Sequence, residues 1–381
     1  MKITQVEVVE PDEKNEAHYY WVLIHTDEGI TGLGETYHGM KGAAKACIQA
    51  FGEGLIGQDP SDIEGIFQQM FHHSSYHGQQ GAEFRAMSAI DVALWDIKGK
   101  ALGVPIYQLL GGKCRDRVPV YFSGGMDGIP IERRAVMDRA QWLVDNGWKA
   151  FKTDVFARHR DECMGKYISL QAIRKATDTL RWVREAVGDR LEICMDCHAY
   201  WDVPSAIKCA QALEEFNVMF IEEPTGPDNA AAMAKVARST TTPICTGERL
   251  FGRSRFRELL ESHVCDIIMP DLAWTGGISE TRKIAYMAET YYVPIAPHNY
   301  GPVTCMALVH VMAHVPNTRY LEFTVNHYET SEGISGWEGM GWNRWVDQPI
   351  VARNSALPLP AEPGLGIELS EEVMARHRRK A

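Results

Sequence analysis

Residues 191–196, LEICMD, form a short apolar run that ends on an aspartate, and similar runs recur along the chain. Five further runs carry a carboxylate or a histidine at or near their ends: VMFIEEP (218–224), TPICTGE (242–248), VCDIIMPD (264–271), VPIAPH (293–298) and TRYLEF (318–323). The polar residues are Asp196, Glu222, Glu248, Asp271, His298 and Glu322, spaced 26, 26, 23, 27 and 24 residues apart. One strand, one helix and two loops of a (β/α)₈ barrel take up a similar length. Because active sites of such barrels lie at the carboxyl ends of the strands, we expect these side chains to converge and form an enzyme site.

The chain has 381 residues, more than the ~250 of a typical barrel, so a second domain is expected. Residues 1–115 indicate an α+β domain, because a β-hairpin pattern at 19–35 precedes helical patterns such as 86–103. Strands and helices then alternate over 116–356, which is typical of a barrel. The tail, 357–381, has no barrel pattern and is predicted to return to the first domain.

Composition restricts the possible partners. The net charge of −11 argues against nucleic acid or an anionic membrane, and no apolar run approaches the ~18 residues of a membrane span. No signal peptide is visible at the start, and nine cysteines at scattered spacings do not indicate a disulfide framework. These features predict a cytoplasmic protein that acts on a small molecule.

Asp196, Glu222 and Glu248 end three successive strands and form a predicted metal site. Three hard oxygen ligands, with room for water and substrate, suit Mg²⁺, which disfavours soft donors. Three buried carboxylates repel one another, and a divalent cation relieves that repulsion. We therefore predict a Mg²⁺-binding ring.

Two histidines are candidates for proton transfer. A carboxylate beside an imidazole holds one tautomer and makes it a better base, so Asp271 and His298 are interpreted as a general-base pair. His198 lies two residues beyond Asp196. Alternation along a strand would point both side chains into the barrel mouth, where His198 could act as a general acid on a leaving group.

Lys152 and Asp154 end the second predicted barrel strand on one face, and both are candidates for binding the substrate. Lys152 could bind a substrate carboxylate, form a Schiff base, or close the polyanionic ring as a structural cation. Glu322 could hydrogen-bond a substrate carboxylate in its protonated form. The polar insertion at 157–169, ARHRDECMGKYIS, is interpreted as a lid or specificity loop.

Several motifs also resemble one known family. They are SAIDVALWDIKGKALGVPIYQLLGG, KTD, MDCH, FIEEP, TGE, PDLAWTGGISE, APH and PGLGIEL. Together they are similar to the enolase superfamily, mandelate racemase subgroup, over essentially the whole chain. The resemblance implies an N-terminal α+β capping domain, completed by the C-terminal tail, over a modified (β/α)₇β barrel. It further implies Mg²⁺ on Asp196, Glu222 and Glu248, an Asp271–His298 base, and the enediolate chemistry of that superfamily.

One position departs from the racemases that the chain resembles. They carry Lys-x-Lys at the second strand, and here the second lysine is replaced by Asp154, which places simple racemisation in doubt. MDCH instead resembles galactonate-dehydratase-type enzymes, in which the histidine two residues after the first metal ligand is the acid. We therefore expect dehydration of a sugar acid, an aldonate or aldarate, to a 2-keto-3-deoxy acid. Tyr37 and His38, in the YHGM loop, are candidates to close over the distal hydroxyls.

Other functions remain open on the sequence alone. An epimerase or lactone cycloisomerase would use the same enediolate, with Lys152 or Tyr167 as a different proton donor. A non-catalytic sugar-acid sensor and a Schiff-base aldolase using Lys152 are further alternatives. A homo-oligomer is expected.

Overall fold

A computed structural model describes residues 1–10, 19–37, 42–159, 166–324, 328–330, 333–335 and 342–378. His38 and residues 160–165, which form part of the predicted lid, lie outside these ranges. Within them no helix is long and apolar enough to cross a membrane.

The N-terminal domain pairs a three-stranded antiparallel sheet with helices, as the hairpin pattern predicts. The strands, in the order β1-β2-β3, are β1 (Ile3–Val9), β2 (Tyr19–Thr26) and β3 (Thr31–Tyr37). The helices are α1 (Ala43–Leu55), α2 (Ile63–His73), α3 (Ala82–Leu102) and α4 (Ile106–Leu110). Gly103, at φ 67°, ends α3 in the left-handed conformation that glycine tolerates.

Glycines allow the sheet to lie directly on α3. A Cβ atom added at Gly34 would fall 1.9 Å from the carbonyl oxygen of Ala89, and one at Gly32 would fall 2.1 Å from that of Ala93. Any side chain at these positions would therefore force β3 away from the helix. This close packing on α3 determines where the end of β3 lies relative to the barrel.

Seven parallel strands form the curled sheet of the second domain. In sheet order they are β10 (Leu321–Thr324), β4 (Arg117–Ser123), β5 (Ala150–Thr153), β6 (Glu192–Asp196), β7 (Phe220–Glu222), β8 (Ile244–Thr246) and β9 (Ile267–Ile268). The helices that follow are α5 (Arg133–Asp145), α6 (Leu170–Val187), α7 (Val203–Leu213), α8 (Ala230–Ala237), α9 (Gly252–Glu261), α10 (Leu272–Thr275), α11 (Gly277–Glu289), α12 (Pro302–His314) and α13 (Glu371–Arg378). Three short strands are peripheral: β11 (Tyr328–Thr330) and β12 (Gly333–Ser335) pair with each other, and β13 (Ala356–Pro358) pairs antiparallel with β4.

The ring is closed by residues 294–298, which carry single parallel bridges instead of a regular strand. Ile295 bridges Ile268 on one side and Thr318 on the other, and His298 bridges Asp271. This segment therefore occupies the seventh of eight positions around the barrel. The predicted barrel with an α+β capping domain is confirmed.

The C-terminal tail docks on the capping domain, as predicted. Asp96 of α3 accepts hydrogen bonds from the backbone N–H of Leu33 at 2.9 Å and of Leu365 at 2.8 Å. Lys100 lies 2.7 Å from Asp96 and 2.5 Å from Glu368 of the tail. One buried carboxylate thus ties strand, helix and tail together.

His310 of α12 makes this junction sensitive to acid. Its Nδ1 accepts a hydrogen bond from Tyr107 N, and its Nε2 donates to Leu365 O, an arrangement that requires the neutral ring. Burial lowers the pKa of His310 to about 4. Below the unfolded-state pKa of ~6.5 only the unfolded chain takes up this proton, so stability falls as the pH drops towards 4.

We predict that His310 accounts for about 3 kcal/mol of acid destabilisation between pH 6.5 and 4. His310→Gln cannot titrate and should flatten that part of the curve. The measurement is urea unfolding at half-unit pH steps for both proteins. Equal slopes over this window would contradict the assignment.

Candidate active site

A cavity of about 500 Å³ opens at the carboxyl ends of the barrel strands. Most of the predicted site residues line it: Tyr37, Lys152, Asp154, Asp196, His198, Glu248, His298 and Glu322. Glu222 and Asp271 lie behind this surface, in contact with lining residues. The structure thus brings together the predicted site residues that it describes, except Tyr167, the alternative proton donor, which does not line this cavity.

Lys152 sits among three of the carboxylates. Its Nζ lies 3.1 Å from Asp196 Oδ2, 2.9 Å from Glu222 Oε2 and 2.8 Å from Glu322 Oε1. Burial disfavours the charged amine, but the acids around it outweigh this effect and raise the pKa of Lys152 well above its usual value. An ammonium ion held in this way is a poor Schiff-base nucleophile, which argues against the aldolase.

His298 is held by Asp271, as the sequence predicts. Its Nδ1 is hydrogen-bonded to Asp271 Oδ2, and its Nε2 lies 3.6 Å from Glu248 Oε2 and 3.8 Å from Glu322 Oε2. Burial opposes protonation, but the nearby carboxylates outweigh it and raise the pKa of His298 to about 9. A cation bound to Glu248 would weaken this field and favour the neutral imidazole that a base requires.

His198 reaches the cavity by a different route from the one predicted. Strand β6 ends at Asp196, and His198 follows in a left-handed turn at φ 51°, so strand alternation does not orient it. Its backbone N–H donates to Asp196 Oδ1 at 2.8 Å, which fixes the turn. Its Nδ1 lies 2.9 Å from Asp154 Oδ2, and this hydrogen bond raises the pKa of His198. Asp154 is thus the partner of a histidine, a role that spacing alone did not indicate.

The three predicted metal ligands suit Mg²⁺ in their chemistry. They are carboxylates on the adjacent strands β6 and β7 and directly after β8, and Glu222 Oε1 is buried with no hydrogen-bond partner among the described residues. Burial, reinforced by Asp196, raises the pKa of Glu222 well above its usual value. A buried, orphaned carboxylate oxygen of this kind is a position that a cation would stabilise.

The carboxylates are, however, engaged with cationic side chains. In the described parts of the chain no group of three His, Cys, Asp or Glu side chains is placed to hold a metal ion as it stands. Lys152 bonds to Asp196 and Glu222, and Arg249 Nη1 lies 2.7 Å from Glu248 Oε1. A metal would have to compete with both cations for these oxygens.

Several residues of the site were missed by the sequence interpretation. Arg249 also approaches the buried Glu223, with Nε 2.9 Å from Oε2. Trp274 packs its ring 5.3 Å from that of His298, and the guanidinium of Arg85, from the capping domain, lies 4.4 Å from the Trp274 ring. The doubled glutamate of FIEEP and the arginine after TGE were available signals, but their partners depend on folded geometry.

Comparison with known proteins agrees with this architecture. Residues 7–111 match the mandelate racemase / muconate lactonizing enzyme N-terminal domain, and residues 135–373 match the enolase C-terminal domain-like family. The chain belongs to the enolase superfamily. The predicted family is thereby confirmed.

Named relatives extend the comparison over nearly the full length. D-xylonate dehydratase of Haloferax volcanii is 34% identical over 99% of this chain and 89% of its own. D-galactonate dehydratase of Variovorax paradoxus is 36% identical over 95% of this chain and 91% of its own. The structure of an enolase of the mandelate racemase subgroup from Agrobacterium tumefaciens superposes with a TM-score of 0.87, at 33% identity over 99% of this chain and 97% of that one. Dehydratases are hydro-lyases, so the predicted enzyme class is also confirmed.

We predict that Lys152 stabilises the folded protein by neutralising the buried carboxylates around it. Lys152→Met would leave three buried carboxylates without their shared cation, and breaking a buried ion pair in this way costs ~3–5 kcal/mol. We expect a loss of that size in urea unfolding with chelator present, and partial recovery on adding Mg²⁺.

The matched control is Lys113→Met, because the pair that Lys113 forms with Asp116 is exposed. Such exposed pairs add little to stability because solvent screens them, so Lys113→Met should unfold like the wild type. Equal stability of Lys152→Met and wild type in chelator would contradict an ionised cluster.

Proposed function

We propose that the protein is a Mg²⁺-dependent dehydratase of a sugar acid, an aldonate or aldarate. The observation that carries the proposal is a pair of aspartate-supported histidines, His298 and His198, lining one cavity. His298 ends the segment at the seventh of the eight positions around the barrel, and His198 follows β6, at the third position. These positions lie on opposite sides of the barrel. The dehydratase relatives, which are similar over almost the whole chain, support the same reaction class.

Asp196, Glu222 and Glu248 would hold the Mg²⁺. When bound, the ion would supply Lewis-acid stabilisation of negative charge on the substrate carboxylate, an effect that lowers the barrier to removing the adjacent C2 proton by several kcal/mol. Lys152, at the cavity wall, would position the same end of the substrate. Burial would raise the pKa of Glu322, but Lys152 and His298 outweigh it and lower that pKa, so the ionised Glu322 would not donate the expected hydrogen bond to the substrate carboxylate.

His298 would act as the base. Asp271 engages Nδ1, so Nε2 is the atom available to take the C2 proton. This step gives an enediolate whose electrons then expel the 3-hydroxyl group. Trp274 packs against His298, and Tyr37 packs against Trp274. Both line the cavity and would limit water around the reacting carbon.

His198 would act as the acid. Asp154 engages Nδ1, which leaves Nε2 to donate a proton to the departing hydroxyl. The C3–O bond breaks, water leaves, and the resulting enol tautomerises to a 2-keto-3-deoxy acid. Asp154 is proposed here as the residue that orients and charges this acid.

The first test is a screen of aldonates and aldarates for 2-keto acid formation, with Mg²⁺ and after chelation. His298→Asn should lower kcat by at least ~10²–10⁴, the usual worth of a positioned base, and stop exchange of the C2 proton with D₂O. Full activity of the metal-free enzyme would contradict the metal site. Retained exchange in the variant would mean that another residue takes the proton.

An epimerase is the second candidate, because a histidine stands on each side of the cavity. An epimerase could remove the C2 proton with one histidine and return another proton to the opposite face with the other. A dehydratase would use His198 only to expel the 3-hydroxyl group.

His198→Asn separates these two functions. For a dehydratase, 2-keto-3-deoxy product should disappear while deuterium still enters C2 with unchanged configuration, since His298 remains. The measurement is ¹H NMR of recovered substrate in D₂O. Inverted configuration at C2 in the wild type that is lost in the variant would favour the epimerase instead.

The assembly and location of the protein are further expectations. We expect a cytoplasmic homo-oligomer, with a small-molecule substrate and no nucleic-acid or membrane partner. A sensor lacking catalysis would bind a sugar acid without C2 exchange, so the same exchange measurement tests it.

A further inference from the structure

Glu35 of β3 is a buried carboxylate outside the cavity, yet it contacts the segment that carries His298. Its Oε1 accepts hydrogen bonds from Thr304 N at 3.0 Å and Thr304 Oγ1 at 2.8 Å, and its Oε2 accepts from Trp21 Nε1 at 2.7 Å. Only 1% of Glu35 is exposed to solvent. All of its bonds to the barrel go to the first turn of α12.

Thr304 is the third residue of α12, whose N-cap is Gly301. The first N–H groups of a helix lack partners within it, and a glycine N-cap has no side chain to supply one. Glu35 therefore provides the cap from a different domain. A Cβ atom at Gly301 would fall 2.0 Å from Glu35 Oε1, so the glycine is needed for this close approach.

The residues between His298 and this helix connect the cap to the active site. Asn299 donates from its backbone N–H to Glu322 Oε2 at 3.4 Å, and Thr304 Oγ1 lies 3.2 Å from Asn299 Oδ1. The Tyr19 hydroxyl of β2 also bonds to Tyr300 O. The segment from His298 to Thr304 is thus held from the capping side at two points.

Thr36, the next residue of β3, connects the capping domain to Asp271, the partner of His298. Thr36 Oγ1 donates to Ala273 O at 2.7 Å, and Ala273 N donates to Asp271 Oδ1 at 2.7 Å. Successive residues of one capping strand therefore reach the loops after both Asp271 and His298.

We propose that Glu35 is a positioning residue of the capping domain that fixes the base His298 by capping the helix that follows it. Glu35 does not line the cavity, so it would act through the segment that carries His298 and not by contacting the substrate. The capping domain thereby has a second role beside covering the substrate. The proposal rests on the proposed function, in which His298 removes the C2 proton.

Glu35→Gln tests this role with little change in volume. The amide keeps one acceptor oxygen but must direct an N–H₂ group at either Trp21 or Thr304, both of which donate. We expect kcat to fall about tenfold with KM within about twofold, since small misplacement of a reacting group lowers rates strongly. The deuterium isotope effect with C2-labelled substrate should rise as proton transfer becomes slower.

Asp91→Ala provides the matched control. Asp91 is also a buried carboxylate of the capping domain that caps a barrel helix, accepting from Ser279 N of α11 at 3.0 Å. This variant should lower Tm at least as much as Glu35→Gln while kcat stays within about twofold of wild type. Unchanged kcat in Glu35→Gln, or an equal loss of kcat in both variants, would overturn the proposal.

A second pair of variants applies if Glu35→Gln does not fold. Thr304→Val removes the hydroxyl donor to Glu35 and should lower kcat, whereas Thr304→Ser keeps it and should restore the wild-type rate. Equal rates for the two would overturn the proposal.

A spectroscopic readout separates this proposal from the proposed function. The ¹⁵N imidazole signals of His298, assigned through His298→Asn, should shift in Glu35→Gln at fixed pH and stay unchanged in Asp91→Ala. If wild type turns over no sugar acid, the proposed function fails while this measurement still decides on Glu35. If wild type is active and the signals of Glu35→Gln do not shift, Glu35 has only a structural role.

Discussion

The mutual repulsion of buried carboxylates at the barrel mouth is the constraint on which the rest of the site depends. Asp196, Glu222 and Glu322 all approach Lys152, and each is almost completely withdrawn from water. Burial alone would suppress their ionisation. Lys152 outweighs it for Asp196 and Glu322, whose pKa values are lowered, but not for Glu222, whose pKa is raised. The cluster is thus only partly neutralised, and such a site favours a further cation.

A charged cluster of this kind requires a rigid surround, because small displacements of unscreened charges change their energies strongly. The barrel holds each carboxylate on its own strand, and the capping domain holds the loops between them. Glu35 contacts the segment after His298, and Thr36 contacts the segment after Asp271. Both residues lie on β3, which Gly32 and Gly34 allow to pack closely on α3. The positions of Asp271 and His298 therefore depend on how the capping sheet packs on the barrel.

The sequence was sufficient to predict the barrel because the repeat length of a βα unit is set by simple geometry. It also predicted most of the charged residues that line the cavity, because the carboxyl ends of the strands meet at one end of the barrel. Of the pairs within the site it predicted only that of Asp271 with His298. The contact of Asp154 with His198 depends on a left-handed turn after β6, and that of Glu35 with Thr304 joins residues 269 positions apart. Both contacts arise from tertiary packing, which the periodicity of apolar residues in the sequence does not predict.

The two histidines differ in exposure, and this difference is consistent with the roles proposed for them. The side chain of His298 is 15% exposed and lies between carboxylates, whereas that of His198 is 48% exposed. An acid that gives its proton to departing water must be reprotonated in each turnover, and an exposed imidazole exchanges readily with solvent. A base that removes a weakly acidic C–H proton benefits from exclusion of water, which would otherwise compete for it. The geometry thus favours elimination over a symmetric exchange of one proton, because an epimerase has no comparable need for unequal access.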